Sequence, residues 1–210
     1  MTEKETESTL YPLKVHEADL VRETAYSYLL RNDREYTIDD IYSLPDGVRA
    51  ELIDGQIFFL ATPMRIHQKI AGEMYYAVAH YIKSHHGTCE VYIPPFGVHL
   101  NGDESIYLEP DLTVVCDSDK LKDLGCYGAP DWVVEVLSPS TRKKDMGIKL
   151  FKYRSAGVKE YWIIDPEKEQ TTVYVFGDEQ KDDGITCPFA EPIPCTLFPG
   201  LKICLHELLN

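Results

Sequence analysis

The chain has 210 residues, 44% of them hydrophobic, which is enough to build a core and excludes wholesale disorder. Its formal net charge of −14 argues against a general nucleic-acid coat protein, whose phosphate contacts are made by lysine and arginine. No apolar run approaches the roughly 20 residues of a membrane helix, and no basic-then-apolar signal pattern opens the chain, so the reading is a soluble, cytoplasmic protein with no membrane partner.

In chain order, residues 1–15 read as a tail. Residues 17–31 read as a helix, with Leu20, Ala25, Leu29 and Leu30 at helical spacing. Residues 1–35 are thus expected to form an N-terminal tail and helix, and residues 36–210 a single domain. A short helix starts near Thr37, an N-cap residue followed by Asp39 and Asp40, and ends in the turn residues Leu44-Pro45-Asp46-Gly47. Asp54-Gly55, between Ala50–Ile53 and Gln56–Leu60, is the strongest short signal for a β-hairpin. Residues 64–86 follow as an amphipathic helix, on which Ile66, Ile70, Met74, Tyr75, Val78, Tyr81 and Ile82 recur every three or four positions. Strands are predicted at Cys89–Ile93, Gly97–Leu100, Asp111–Cys116 and Trp132–Leu137. The last two are near-continuous apolar runs, so both faces should be buried. A helix over residues 140–155 is left through Gly157. A strand at Lys159–Ile164 then pairs with Thr172–Phe176 as a hairpin, residues 177–184 form a loop, and Thr196–Leu205 reads as a last edge strand with Phe198-Pro199-Gly200 as a turn.

Six cysteines contain no C-x-x-C pair, which argues against structural zinc, and free thiols in a reducing compartment are expected. Charge is unevenly spread. Residues 138–160 hold seven basic residues against two acidic ones, a local excess that a polyanion could use, or simply a solvated helix face.

Two carboxylates stand out. Glu135 lies inside Trp132-Val133-Val134-Glu135-Val136-Leu137, where an unpartnered ionised carboxylate is very costly. Asp111 opens a second apolar strand after Pro110. If the strands are neighbours, the two carboxylates converge, and such oxygen ligands suit Mg²⁺ or Mn²⁺. The competing reading is a buried ion pair, with Glu135 neutralised by Arg142 or Lys149.

The segments Glu109-Pro110-Asp111-Leu112-Thr113-Val114-Val115, Pro130-Asp131 through Ser138-Pro139-Ser140-Thr141, Lys149-Leu150-x-x-Tyr153 and Gly157-Val158-Lys159-Glu160-Tyr161-Trp162-Ile163-Ile164-Asp165-Pro166 resemble the Uma2 (DUF820) family. Glu51-Leu52-Ile53-Asp54-Gly55 and His67 fit the same pattern, so the resemblance covers residues 36–176. It implies restriction-type endonucleases of the PD-(D/E)XK superfamily, an α/β fold in which helices flank a central mixed β-sheet. It implies further that Asp111, Glu135 and the main-chain carbonyl of Val136 hold the metal. The lysine of the superfamily pattern is replaced by Leu137. Lys149, on the next helix, is the expected substitute, with Lys152 the alternative. Its competing reading is an exposed pair with Asp145.

The resemblance also brings Glu51 and His67 toward the pocket, although on residues alone Glu51 reads as solvent-facing and His67 as a surface or capping residue. Arg142, Lys143, Lys144, Lys152 and Tyr153 are the expected nucleic-acid contacts. Tyr153 and Trp162 suit either base stacking or core packing. The expected activity is Mg²⁺- or Mn²⁺-dependent hydrolysis of DNA by a homodimer. The alternatives are a non-catalytic binding or assembly protein, or a phosphodiesterase acting on RNA or structured nucleic acid.

Overall fold

A computed structural model of the chain describes residues 34–139, 141–178 and 180–210. The tail and the helix expected over residues 17–31 lie outside the described residues.

Helix α1 (Ile38–Tyr42) begins where the cap residues place it: the Thr37 N–H donates to the Asp40 carboxylate at 2.9 Å, closing the first turn. Strands β1 (Ala50–Ile53) and β2 (Gln56–Phe59) form the expected hairpin. Asp54 and Gly55 both take positive φ, 49° and 70°, as a two-residue turn of matching twist requires. Helix α2 (Arg65–Ser84) buries the stripe Ile70, Ala71, Met74, Val78 and Ile82.

Then come β3 (Glu90–Tyr92), β4 (Val98–His99), β5 (Leu112–Val115), β6 (Leu121–Lys122), β7 (Gly125–Tyr127) and β8 (Trp132–Val136). Strand β8 leads into α3 (Arg142–Lys144), a π-helical turn (Asp145–Lys149) and α4 (Leu150–Ala156). Gly157, at φ 92°, closes α4 with the left-handed residue that ends many helices. The chain finishes with β9 (Glu160–Asp165), β10 (Gln170–Val175), β11 (Ile185–Pro188), β12 (Ile193–Pro194), β13 (Lys202–Ile203) and α5 (Leu205–Leu209).

Six strands make one sheet in the order β11-β10-β9-β8-β5-β3. Within this sheet only β8 and β9 pair in parallel, and the crossover through α3 and α4 supplies the connection that parallel pairing needs. Trp132, Val134 and Val136 of β8 share a core with Ile70, Met74, Val78 and Ile82 of α2. Val133 and Leu137 join a second core with Tyr153, Tyr161 and Ile163. The central strand is therefore covered by helices on both faces, and the fold is the expected α/β arrangement of a mixed sheet flanked by helices.

The structure differs from the sequence reading near the end of the chain. Residues Thr196–Leu205 are not one edge strand. The expected turn at Phe198-Pro199-Gly200 is present, but it separates two short strands, β12 and β13, and Leu205 already starts α5. One sheet edge is β11, and β4, within the predicted strand at Gly97–Leu100, joins β6 and β7 in a separate small sheet; β6, β7 and β11 were not disclosed by the periodicity. The six cysteines are not all free thiols. Cys89 and Cys116 flank paired positions of antiparallel β3 and β5 and are joined in a disulfide.

Candidate active site

The β5–β8 ladder pairs Leu112 with Val134 and Thr113 with Val133. One step further along, Asp111 faces Glu135. Directly opposed residues of an antiparallel pair project to the same face, so the two carboxylates converge at the end of two strands that are otherwise apolar. They lie in a cleft of about 510 Å³ that is lined also by Glu51, His67, Val136, Lys144 and Lys149, with Phe58 and Met64 among its walls.

Lys149 is the hub of the site. Its Nζ lies 2.6 Å from Glu51 Oε1, 2.8 Å from Glu135 Oε1 and 3.3 Å from Asp145 Oδ1. The π turn carries Asp145 and Lys149, and both side chains are buried. Lys149 is thus no exposed helical pair with Asp145, and it is Lys149, not Arg142, that neutralises Glu135. The Tyr153 hydroxyl donates to the same Glu135 Oε1 at 2.9 Å, so both bonds fall on one oxygen. Glu51, wholly buried, is no solvent-facing strand residue. It accepts from Lys144 Nζ at 2.8 Å and from the Glu109 N–H at 3.3 Å. His67, in the first turn of α2, places Nε2 3.1 Å from Asp111 Oδ2, which also accepts from the Val136 N–H at 2.7 Å.

These contacts set the ionisation of the site. Burial drives the Glu135 pKa well above the ordinary carboxylate range, against the pull of Lys149. Burial likewise raises Asp145 despite Lys149. For Glu51 the opposite balance holds: burial works against its charge, but Lys149 and Lys144 outweigh it and bring the pKa down. Burial also opposes charge on Lys149, yet Glu135 and Glu51 hold its pKa well up, so it is an ammonium. Burial disfavours protonated His67, but the hydrogen bond and charge of Asp111, with the Val136 main chain, raise its pKa.

A divalent cation suits this donor set. Asp111, Glu135, Glu51 and Asp145 are four carboxylates set against the ammonium groups of Lys144 and Lys149 and the His67 ring, so carboxylates outnumber the groups that can carry positive charge. Glu135 resists ionisation without further positive charge nearby. Asp111, Glu135 and the Val136 carbonyl are hard oxygen donors of the kind Mg²⁺ and Mn²⁺ prefer. Among the described residues no three His, Cys, Asp or Glu side chains are disposed to chelate a metal ion. The set that the resemblance implies, Asp111, Glu135 and the Val136 carbonyl, would leave coordination over for water and phosphate.

The expected nucleic-acid contacts fare unevenly. Arg142 forks onto Asp165 at 2.6 and 2.9 Å and reaches Glu167 at 2.7 Å. Lys152 pairs with Asp54. Tyr153 is wholly buried and offers no ring face to a base, which corrects that expectation, and Trp162 is equally buried. Lys143 is exposed, and Lys144 lines the cleft with its ammonium over the Phe58 ring at 4.9 Å. Asp145 was missed as a member of the site. The signal was its spacing: Asp145, Lys149 and Tyr153 recur every four residues, which puts them on one helix face.

Fold and site together define a restriction-endonuclease-like α/β protein. The chain belongs to the Uma2 family, described as "Putative restriction endonuclease", whose model matches residues 38–206. It is 27% identical over 135 residues to "Uncharacterized protein slr1290" of Synechocystis sp. (strain ATCC 27184 / PCC 6803 / Kazusa), a match covering 64% of this chain and 67% of that protein. Its fold is similar to the crystal structure of "a putative nuclease belonging to DUF820" from Anabaena variabilis ATCC 29413. The TM-score is 0.67 at 20% sequence identity, over 82% of this chain and 97% of that one.

Proposed function

We propose that this protein is a metal-dependent endonuclease that hydrolyses phosphodiester bonds in DNA. The observation that carries the reading is the opposition of Asp111 and Glu135 one step beyond the paired positions of β5 and β8, with Lys149 Nζ 2.8 Å from Glu135. Asp111, Glu135 and the Val136 carbonyl would hold Mg²⁺ or Mn²⁺. Such an ion polarises phosphate and lowers the pKa of water. Tyr153 and Lys149 fix the Glu135 carboxylate from one side, through Oε1. Glu51 holds Lys149 in place, so a fixed ammonium stands beside the phosphate, where negative charge develops. His67 holds a proton at Nε2 beside Asp111. Lys143 and Lys144 supply the phosphate contacts nearest the cleft. Cutting both strands of a duplex calls for two such sites, and a two-fold homodimer is the simplest assembly.

The test is calorimetric titration of Mn²⁺ into the protein, beside Asp111→Asn and Glu135→Gln, followed by cleavage assays on plasmid DNA and on RNA of matched length. Saturable binding and DNA nicking in the parent, both lost in the two folded variants, is the expected result. A parent that neither binds the ion nor cuts, with or without nucleic acid present, sinks the proposal. A second reading, a non-catalytic binding protein, draws on the fact that Lys149 and Tyr153 already compensate Glu135 within the chain. It requires that outcome.

A further inference from the structure

A second cavity, of about 320 Å³, shares no lining residue with the cleft. Tyr42 and Tyr127 supply its aromatic walls, with His99 between them. The His99 ring stacks on Tyr127 at 4.1 Å with 9° between the planes, and its Nε2 is 3.0 Å from the Tyr42 hydroxyl. Tyr107 meets His99 edge-on at 5.3 Å. This packing holds His99 at 2% exposure, while Tyr42 and Tyr127 remain 45% and 39% exposed. The rings are thus held from behind and open in front. Burial keeps the His99 pKa below its ordinary value, so at neutral pH its ring adds no positive charge. The remaining charged groups of the lining are the carboxylates of Asp39 and Glu104, and among the described residues no lysine or arginine lines the cavity.

An aromatic face carries the negative lobe of its quadrupole, and a cation within about 6 Å of a ring centroid is attracted to it. Two tyrosine faces and two carboxylates with no countercharge favour one ligand class. An anion is repelled by all four groups, and a neutral apolar molecule leaves the carboxylates without a partner. We propose that this cavity binds a small organic cation, an alkylated ammonium group seated against the exposed sides of Tyr42 and Tyr127 with Asp39 and Glu104 at its rim. The volume lies at the small end of the ligand-pocket range, about 300–1,000 Å³, as a compact ammonium requires. The assignment does not depend on nuclease activity.

The probe is tetramethylammonium, with tert-butanol as its neutral isostere, followed by NMR of the tyrosine rings in the full chain. Saturable shifts at Tyr42 and Tyr127 are expected with the cation and absent with the alcohol. Tyr127→Leu should weaken binding about tenfold, whereas Tyr42→Phe, which keeps the ring, should stay within about twofold. The double variant Asp39→Asn with Glu104→Gln changes exposed groups only. It should weaken binding several-fold and carries the test if Tyr127→Leu fails to fold. Equal response to the two probes, no saturation, or undiminished binding in the folded carboxylate variant overturns the proposal.

Discussion

Replacing Lys149 by Met removes the charge at the centre of the site while keeping most of the stem that packs there. The lysine is 3% exposed, and its Nζ is shared by Glu51, Glu135 and Asp145 at 2.6, 2.8 and 3.3 Å. Breaking a buried ion pair by deleting one partner costs about 3–5 kcal/mol, because the surviving charge is left uncompensated. Three carboxylates lose their common cation here, so the upper end of that range is expected at neutral pH. That is a large part of the roughly 5–15 kcal/mol that holds a domain folded. Urea unfolding reads the loss as a lower midpoint at unchanged slope.

The pH dependence follows from sign. Glu135 and Asp145 already have raised pKa values in the folded protein, and losing Lys149 raises them further. The folded state then binds protons that the unfolded state does not, so the variant regains stability as the pH falls toward and through the raised folded pKa values. Adding Glu135→Gln to Lys149→Met should recover part of the loss, because the orphaned charge goes with it. A loss below about 1 kcal/mol at neutral pH, or one that grows on acidification, would refute this account of the cluster.

Two further predictions concern the frame around the site. Asp165→Asn removes the carboxylate gripped by Arg142 and should cost about 1 kcal/mol at neutral pH, a modest figure because water screens part of the pair. The Arg142 hydrogen bond depresses the Asp165 pKa below its unfolded value of 3.8, so the contribution is present above that pH and fades as acid titrates the folded carboxylate; acid-dependent urea midpoints of the two proteins should converge there. Gly125→Ala should cost about 3 kcal/mol, since φ is +137° and a Cβ would stand 2.1 Å from the Gly97 carbonyl oxygen. Gly128→Ala, at φ +116° with its nearest neighbour 3.7 Å away, should cost roughly 1 kcal/mol. Thermal unfolding of the two variants checks the difference, and equal losses would refute it.

What the sequence disclosed, and what it hid, has a physical basis. Continuous apolar runs at Leu112–Val115 and Trp132–Val136 announced strands buried on both faces, and the carboxylates at Asp111 and Glu135 were conspicuous because such runs exclude unpartnered charge. The hairpin at Asp54-Gly55 and the stripe of α2 were legible for the same local reason. The short strands β6, β7, β11, β12 and β13 were not, because two to four residues are too few to display a period. Glu51 was opaque for a different reason. Nothing in Ala50-Glu51-Leu52-Ile53 shows that a side chain beside a hairpin turn will meet two lysines from a helix more than 90 residues away.

The basic stretch shows why a charge count cannot stand in for a surface. Between residues 138 and 160, Arg142, Lys144, Lys149, Lys152, Arg154 and Lys159 all pair with carboxylates. Only Lys143 has no ion pair among the described residues. The run of positive charge is consumed in tying the crossover helices to β1, β9 and the loops around them. Its most buried member, Lys149, pairs with Glu135, one of the two carboxylates that the sequence singled out, and with Glu51 and Asp145. The positive charge of the stretch is therefore held in separate internal ion pairs instead of forming one docking face. On the proposed function, attraction for a polyanion rests on the divalent cation that Asp111 and Glu135 would hold, because the carboxylates of the cleft outnumber its ammonium groups.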